Sequence, residues 1–237
     1  MSLLSVTLIL FAHHFVTKNI KNKFELLKQL NKKCNVKAIG FKDNKDLLLG
    51  SIIVDTKKYP NNKNVSIYFN KHVNWTEADL FLYEAYFLYP NYKKYFLLEY
   101  DTIFNTSIEE FFPINKYNHF GSNIFNNVGM SWEFCRIYKE ENKFSLGLEE
   151  LASIGQTSCI YINNNLLSKI SKEIIEKKEI YESMFSELRL GTLVKKFNGY
   201  LIKSRGDIDE YISWTEDGIC VDIKKEKYFY HPVKTLE

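Results

Sequence analysis

Tyr95–Phe104, YFLLEYDTIF, decides the fold. An apolar run from Tyr95 to Leu98 meets Glu99-Tyr100-Asp101 and resumes at Ile103-Phe104. A strand that reads as buried on both faces thus ends in two acids. Side chains alternate along a strand, so Glu99 and Asp101 are expected on one face and Tyr100 on the other. Two carboxylates ~6 Å apart repel by roughly 3 kcal/mol at an effective dielectric near 20. A hard divalent cation with oxygen ligands offsets that repulsion and bridges carboxylates to phosphates. In open α/β sheets, ligands bind outside the carboxyl ends of strands, where this pair lies. The same acids also fit a solvated strand–loop junction that caps Thr102 or the next helix.

Outward from this stretch, strands and helices alternate. Ser5–Ala12 reads as a buried first strand. In Thr17–Asn31, Ile20, Phe24, Leu27 and Leu30 recur at helical spacing. Val36–Phe41 reads as a second strand, with Ser51–Val54 and Val65–Phe69 as short candidates. Asn74 and Glu77 have capping-box spacing and Pro90 is a stop, which predicts a helix over Trp75–Tyr89. Lys94–Asp101 is the quoted strand. Ser107 and Glu110 suggest a second capping box before Pro113, and His119–Phe125 reads as one strand. Asn164–Phe185 holds one or two helices. Leu190, Leu193, Val194 and Phe197 form a helical stripe closed by Asn198-Gly199. Tyr200–Lys203 and Lys227–Tyr230 read as strands. Such alternation predicts an α/β fold, a mostly parallel central sheet with helices on both faces. No Pro-, Gly- or Ser-rich linker and no repeat interrupts it, so residues 1–237 read as a single domain.

Composition narrows the function. The chain has 237 residues, 45% of them hydrophobic, enough for a sizeable core and unlike a disordered chain. A net charge of +3 is too small for a protein whose main partner is nucleic acid. Cys34, Cys135, Cys159 and Cys220 lie far apart, with no CxxC or Cys/His cluster, so a zinc site is not expected and a reduced, cytoplasmic chain is. The N-terminal MSLLSVTLILFAHHF lacks a positive n-region and a small-residue cleavage site, and no run reaches the ~18 apolar residues of a membrane span. Neither a signal peptide nor a transmembrane helix is therefore expected. GxxxxGK[ST] and GxGxxG are absent, and AHHFVTKN after the first strand has no glycine, unlike the phosphate loop of kinases, dehydrogenases or most nucleotidyltransferases.

YFLLEYDTIF resembles the DXD-type segment of glycosyltransferases with the GT-A fold, written here as Glu99-Tyr100-Asp101. Two further stretches are similar to the same family. SELRLGTLVKKFNGY, Ser186–Tyr200, looks like the segment where an acid opens a helix before a small Gly-Thr turn and an apolar stripe. YFYHPVK, Tyr228–Lys234, looks like the C-terminal segment that closes over a diphosphate. The resemblance implies a single GT-A-like domain, with residues 1–104 binding a nucleoside-diphosphate sugar, UDP- or GDP-linked. Residues 105–237 would hold a glycan or other hydroxyl-bearing acceptor and the closing segment. It implies Mn²⁺ or Mg²⁺ as cofactor, held by Asp101, by Glu99 directly or through water, and by His231. Tyr100 would lie beside the donor, Lys234 would neutralise phosphate charge, and Glu187 would be the base that deprotonates the acceptor, with inversion at the anomeric carbon.

Other residues carry two readings. His13 or Thr17 would touch the donor, or Thr17 simply caps the first helix. Asp43, with Asn44, would pair with the nucleobase or form an Asx turn. Gly121-Ser122 would line the donor sugar or allow close backbone packing. Glu187 is either base or a helix-start acid favoured by the dipole. Lys18, Lys21, Lys23, Lys28, Lys32 and Lys33 make a solvated face, or one for peripheral contact with an anionic membrane. Trp75, Trp132 and Trp214 are core residues or sugar-stacking rings. A nucleotidyltransferase and a non-catalytic binding protein on the same fold are the alternatives.

Overall fold

The computed structural model describes residues 6–44, 46–60, 76–111, 120–121, 124–126, 128–155, 159–197, 220–221, 229–230 and 235–236, with backbone alone at 111, 120–121, 124 and beyond 197. β1 (Thr7–Ala12) is buried throughout. α1 (Lys18–Leu30) starts where Thr17 Oγ1 accepts the Ile20 N–H at 3.2 Å and ends where Asn31 Nδ2 donates to the Leu27 carbonyl at 2.8 Å. β2 (Asn35–Phe41), β3 (Ile52–Val54), α2 (Leu80–Leu88), β4 (Lys94–Glu99), β5 (Ile103–Phe104) and α3 (Ile108–Phe111) follow. Then come β6 (Phe120–Gly121), β7 (Ile124–Phe125), α4 (Glu133–Glu141), β8 (Ser153–Ile154) and β9 (Cys159–Asn163). α5 (Asn164–Glu176) and α6 (Ser186–Lys196) precede the short β10 (Cys220–Val221), β11 (Phe229–Tyr230) and β12 (Thr235–Leu236).

The fold is α/β. Six strands form the central sheet in the order β3-β2-β1-β4-β9-β6. The first four run parallel, and β9 is antiparallel to both of its neighbours. The chain steps outward from β1 to β2 and β3, then returns to place β4 on the other side of β1. The strand order therefore reverses between β1 and β4, with Ala12 paired to Glu99.

Alternation sorts the side chains into two cores. Leu8, Leu10, Tyr95, Leu97, Ile160 and Ile162 pack with Leu80 of α2, Leu167 of α5 and Leu188 and Leu193 of α6. Ile9, Phe11, Phe96, Leu98 and Tyr161 face the opposite way, onto Ile20 and Leu27 of α1 and Ile108 of α3. Each such side chain, fully buried, contributes roughly 1.5–3 kcal/mol. β1 and β4 are apolar on both faces because both faces are covered.

The structure departs from the sequence reading at several points. β4 stops at Glu99, and the Thr102 N–H donates to the Glu99 carbonyl at 2.9 Å, so Tyr100 and Asp101 lie in a turn. α2 begins at Leu80, after a turn at 77–79, and Glu77 pairs with the buried Arg189. His119–Phe125 is not one strand: β6 joins the main sheet, while β7 pairs with β8. Gly191-Thr192 is inside α6 and is not a turn. Glu110 bonds to Thr106 Oγ1 rather than closing a box with Ser107. α4 and β9 were not anticipated. The expected elements at Val65–Phe69 and Tyr200–Lys203, and Asn74, Trp75, Asn198-Gly199 and Trp214, lie outside the described residues. No helix among the described residues is long and apolar enough to cross a membrane.

Candidate functional site at the strand-order reversal

The reversal point is where the carboxyl ends of β1 and β4 lie side by side, and where an open α/β sheet leaves a crevice. His13 leaves β1 by donating its N–H to the Ile39 carbonyl at 3.1 Å. Its ring is buried, with Nδ1 3.3 Å from the Phe15 carbonyl oxygen and Nε2 3.2 Å from Ser51 Oγ. Burial lowers its pKa, so the neutral ring is favoured. Asn44 Nδ2 donates to the His13 carbonyl at 3.4 Å. Gly40 permits this contact between loops: a Cβ there would lie 2.9 Å from the same carbonyl oxygen. Thr17 is the α1 N-cap. Asp43 is exposed, in a turn closed by the Asn44 N–H and the Phe41 carbonyl at 3.1 Å.

Three rings stand over the acidic turn. His14 meets Tyr100 edge-on with centroids 4.8 Å apart, Phe15 meets Tyr100 at 5.2 Å, and His14 meets Phe15 at 4.6 Å. Tyr100 is pushed up to about 12 by desolvation and then by the charges of Asp101 and Glu99, so its hydroxyl stays protonated. Beside this loop runs an open groove of about 810 Å³, lined by Val16, Phe24, Lys21 and the Leu47–Leu49 segment.

The two acids couple to groups from different helical layers, Glu99 to α6 and Asp101 to α1. Glu99 continues the face of Tyr95 and Leu97, which α6 covers. There the first turn of α6 presents Glu187, whose carboxyl is pushed from 4.5 up to about 8. Desolvation is the larger cause and the charge of Glu99 the second. Asp101 sits instead over α1. Lys23 of α1 is 3% exposed, donates from Nζ to the Tyr100 carbonyl at 3.4 Å, and feels the Asp101 carboxylate. Burial brings its ammonium down to about 8, and Asp101 opposes that fall. The sequence reading grouped Lys23 with the solvated lysines. Its position three after Ile20 and four before Leu27, on the buried stripe, was the available signal.

Packing fixes Glu187 through α6. Arg189 is fully buried, donating from Nε to Asp79 Oδ2 at 2.8 Å, from Nη2 to Glu77 Oε2 at 2.9 Å and from Nη1 to the Met184 carbonyl at 3.0 Å. Tyr83 adds a 2.7 Å bond to Asp79. Thr192 Oγ1 donates to the Ala152 carbonyl and accepts from the Ala152 N–H, both at 3.1 Å. Beside it, a Cβ on Gly191 would lie 2.6 Å from Ala152 O and from Ser153 Cα. Just before α6, Phe185 stacks on Phe134 with centroids 4.1 Å apart, and Trp132 meets Phe134 at 5.3 Å.

β11 pairs antiparallel with β5, setting Tyr230 opposite Ile103, two residues beyond Asp101. His231 and Lys234 lie outside the described residues, as does Ser122. Gly121 is opposite Tyr161 on the edge strand β6, beyond β9. Among the described residues, no three His, Cys, Asp or Glu side chains gather as a metal site. What they supply is a pair of hard oxygen-donor groups, Glu99 and Asp101, with a third carboxyl, Glu187, held close enough to Glu99 for mutual repulsion to register.

No protein-family model matches the chain, and no curated protein does. Solved structures do. One is a glycosyltransferase involved in the glycosylation of the major capsid of PBCV-1, at 13% identity and a TM-score of 0.38, covering 72% of this chain and 65% of its own length. The galactosyltransferase LgtC in complex with donor and acceptor sugar analogues is similar at 14% identity and a TM-score of 0.41, over 83% of this chain and 72% of that one. Mouse xyloside xylosyltransferase 1, apo form, is similar at 12% identity and a TM-score of 0.41, over 82% and 83%.

Proposed function

We propose that the chain is a glycosyltransferase of GT-A type that moves a sugar from a nucleoside-diphosphate donor to a hydroxyl of a glycan or other acceptor, with a divalent metal. One observation carries the reading. The acidic end of β4 lies at the strand-order reversal, and a desolvated carboxyl from a separate helix, Glu187, converges on it.

Glu187 acts as the base. A carboxylate with affinity for a proton up to about 8 takes one from an acceptor hydroxyl more readily than a solvated acid near 4.5. Attack from that side, opposite the diphosphate, inverts the anomeric carbon. Mn²⁺ or Mg²⁺ fits the two carboxylates by donor chemistry, and a cation there relieves the repulsion that Glu99 exerts on Glu187. Asp101 and Glu99 would hold it with His231. When bound, the metal supplies electrostatic stabilisation of charge on the departing diphosphate. Lys234 adds a positive charge for the same phosphates. Residues 1–104 hold the donor, with Tyr100 and the loop from His13 to Thr17 bordering it and Asp43 beside the base. Residues 105–237, with Gly121-Ser122 near the donor sugar, hold the acceptor.

The test is a thermal-shift series of UDP, GDP and their sugars with and without Mn²⁺. At 100 times its dissociation constant a ligand stabilises the fold by about 2.7 kcal/mol. A metal-dependent rise in Tm followed by transfer to an added acceptor supports the reading. No shift and no turnover across the panel removes it.

A further inference from the structure

We propose that Lys23 is the resident cation of the acidic turn, a positioning residue that balances Asp101 before ligand arrives and opposes a second cation there. The inference rests on Asp101 lying at the nucleotide site, as proposed above.

Among the described residues Lys23 is the one buried lysine. Lys18, Lys21 and Lys28 of the same helix are exposed. Ile20 and Leu27, its neighbours on the stripe, pack in the core beneath β1 and β4. An apolar side chain would suit that stripe, and a lysine there is desolvated at a cost. What the lysine gains is a polar end: Nζ reaches the Tyr100 carbonyl at 3.4 Å and lies in the field of Asp101. The helix carrying it belongs to the layer opposite Glu187, so the turn is held by a cation from one side and faces a carboxyl on the other. Such an ammonium has opposite effects on the two kinds of ligand. It repels a metal ion at Asp101 and attracts phosphate arriving without metal.

Lys23→Met keeps the apolar stem and removes the charge, and Lys23→Arg keeps a charge. Calorimetric titration with Mn²⁺ alone and with UDP or GDP alone reads the effect without any turnover. Lys23→Met should bind Mn²⁺ on the order of tenfold more tightly and the metal-free diphosphate on the order of tenfold more weakly. Lys23→Arg should stay within about twofold of the parent for both, since the charge is retained. Shifts of opposite sign support the inference. Equal affinities, or both ligands weakened together with a lowered Tm, overturn it and leave the functional reading intact. A parent protein that binds neither Mn²⁺ nor a nucleoside diphosphate overturns the functional reading, and this inference with it.

Discussion

Glu187 is held to its proton by two causes that act in the same direction. Desolvation disfavours the carboxylate, and the neighbouring Glu99 charge disfavours it further. An acid raised in the folded state binds more protons there than in the unfolded chain between about 4.5 and about 8. Its contribution to stability is therefore greatest below about 4.5, declines as pH rises through that window, and is gone above it. Glu187→Gln removes the titration while keeping the shape. Its Tm should gain on the parent's as pH rises from 5 to 9, and a constant difference across that range would contradict the assignment. The same variant should lose on the order of 10²–10⁴ in transfer rate with donor affinity retained. In the parent, kcat/KM should climb with pH as the base form becomes populated, with a midpoint at or below about 8 because a bound cation would offset the Glu99 charge.

At the scale of the element, α6 is a helix whose composition serves its position. A glycine in a helix interior costs about 1 kcal/mol against alanine by propensity alone. Gly191 sits there because a methyl would meet the backbone of Ala152 and Ser153 at 2.6 Å. Gly191→Ala should therefore destabilise the fold by about 1–3 kcal/mol despite better propensity, since both sides of the contact are backbone. Denaturant titration reads this, and a neutral or stabilising result would mean that α6 can slide. The sequence made α6 legible as a stripe but not the reason for its glycine, because Ala152 is remote in the chain. β1, α1 and β2 were legible because their period and caps are local. β9, CIYIN, was missed because Asn163 passes straight into α5 without a break, and Asn163 itself caps that helix by accepting the Leu166 N–H at 2.9 Å. HFGSNIF read as one strand because its apolar pattern is continuous, whereas the exchange of partners from β9 to β8 is decided by tertiary packing. Glu99 and Asp101 were placed on one face for a similar reason. Alternation holds only while the strand lasts, and a hydrogen bond closing the turn ended it two residues earlier than the pattern implied.

At the scale of the whole molecule, the proposed site draws on segments distant in sequence: the loop after β1, the end of β4, the start of α6, and the pairing of β11 with β5. The first three are anchored to the six-stranded sheet and its two cores. The fourth is not. β11 pairs with β5, and β12 with β10, both outside the main sheet. Pairs of two residues are marginal in isolation and add little to global stability. They do set Tyr230 opposite Ile103. A chain ending at Glu226 should therefore keep its far-UV circular dichroism and melt within a few degrees of the full protein. It should also bind a nucleoside diphosphate at least about tenfold more weakly, the equivalent of one lost hydrogen bond to a charged group. Unchanged affinity would remove His231 and Lys234 from the donor site while leaving the roles of Asp101 and Glu187 standing. A collapse of the melting transition would mean that the C-terminal strands are part of the core, contrary to their separation from the central sheet.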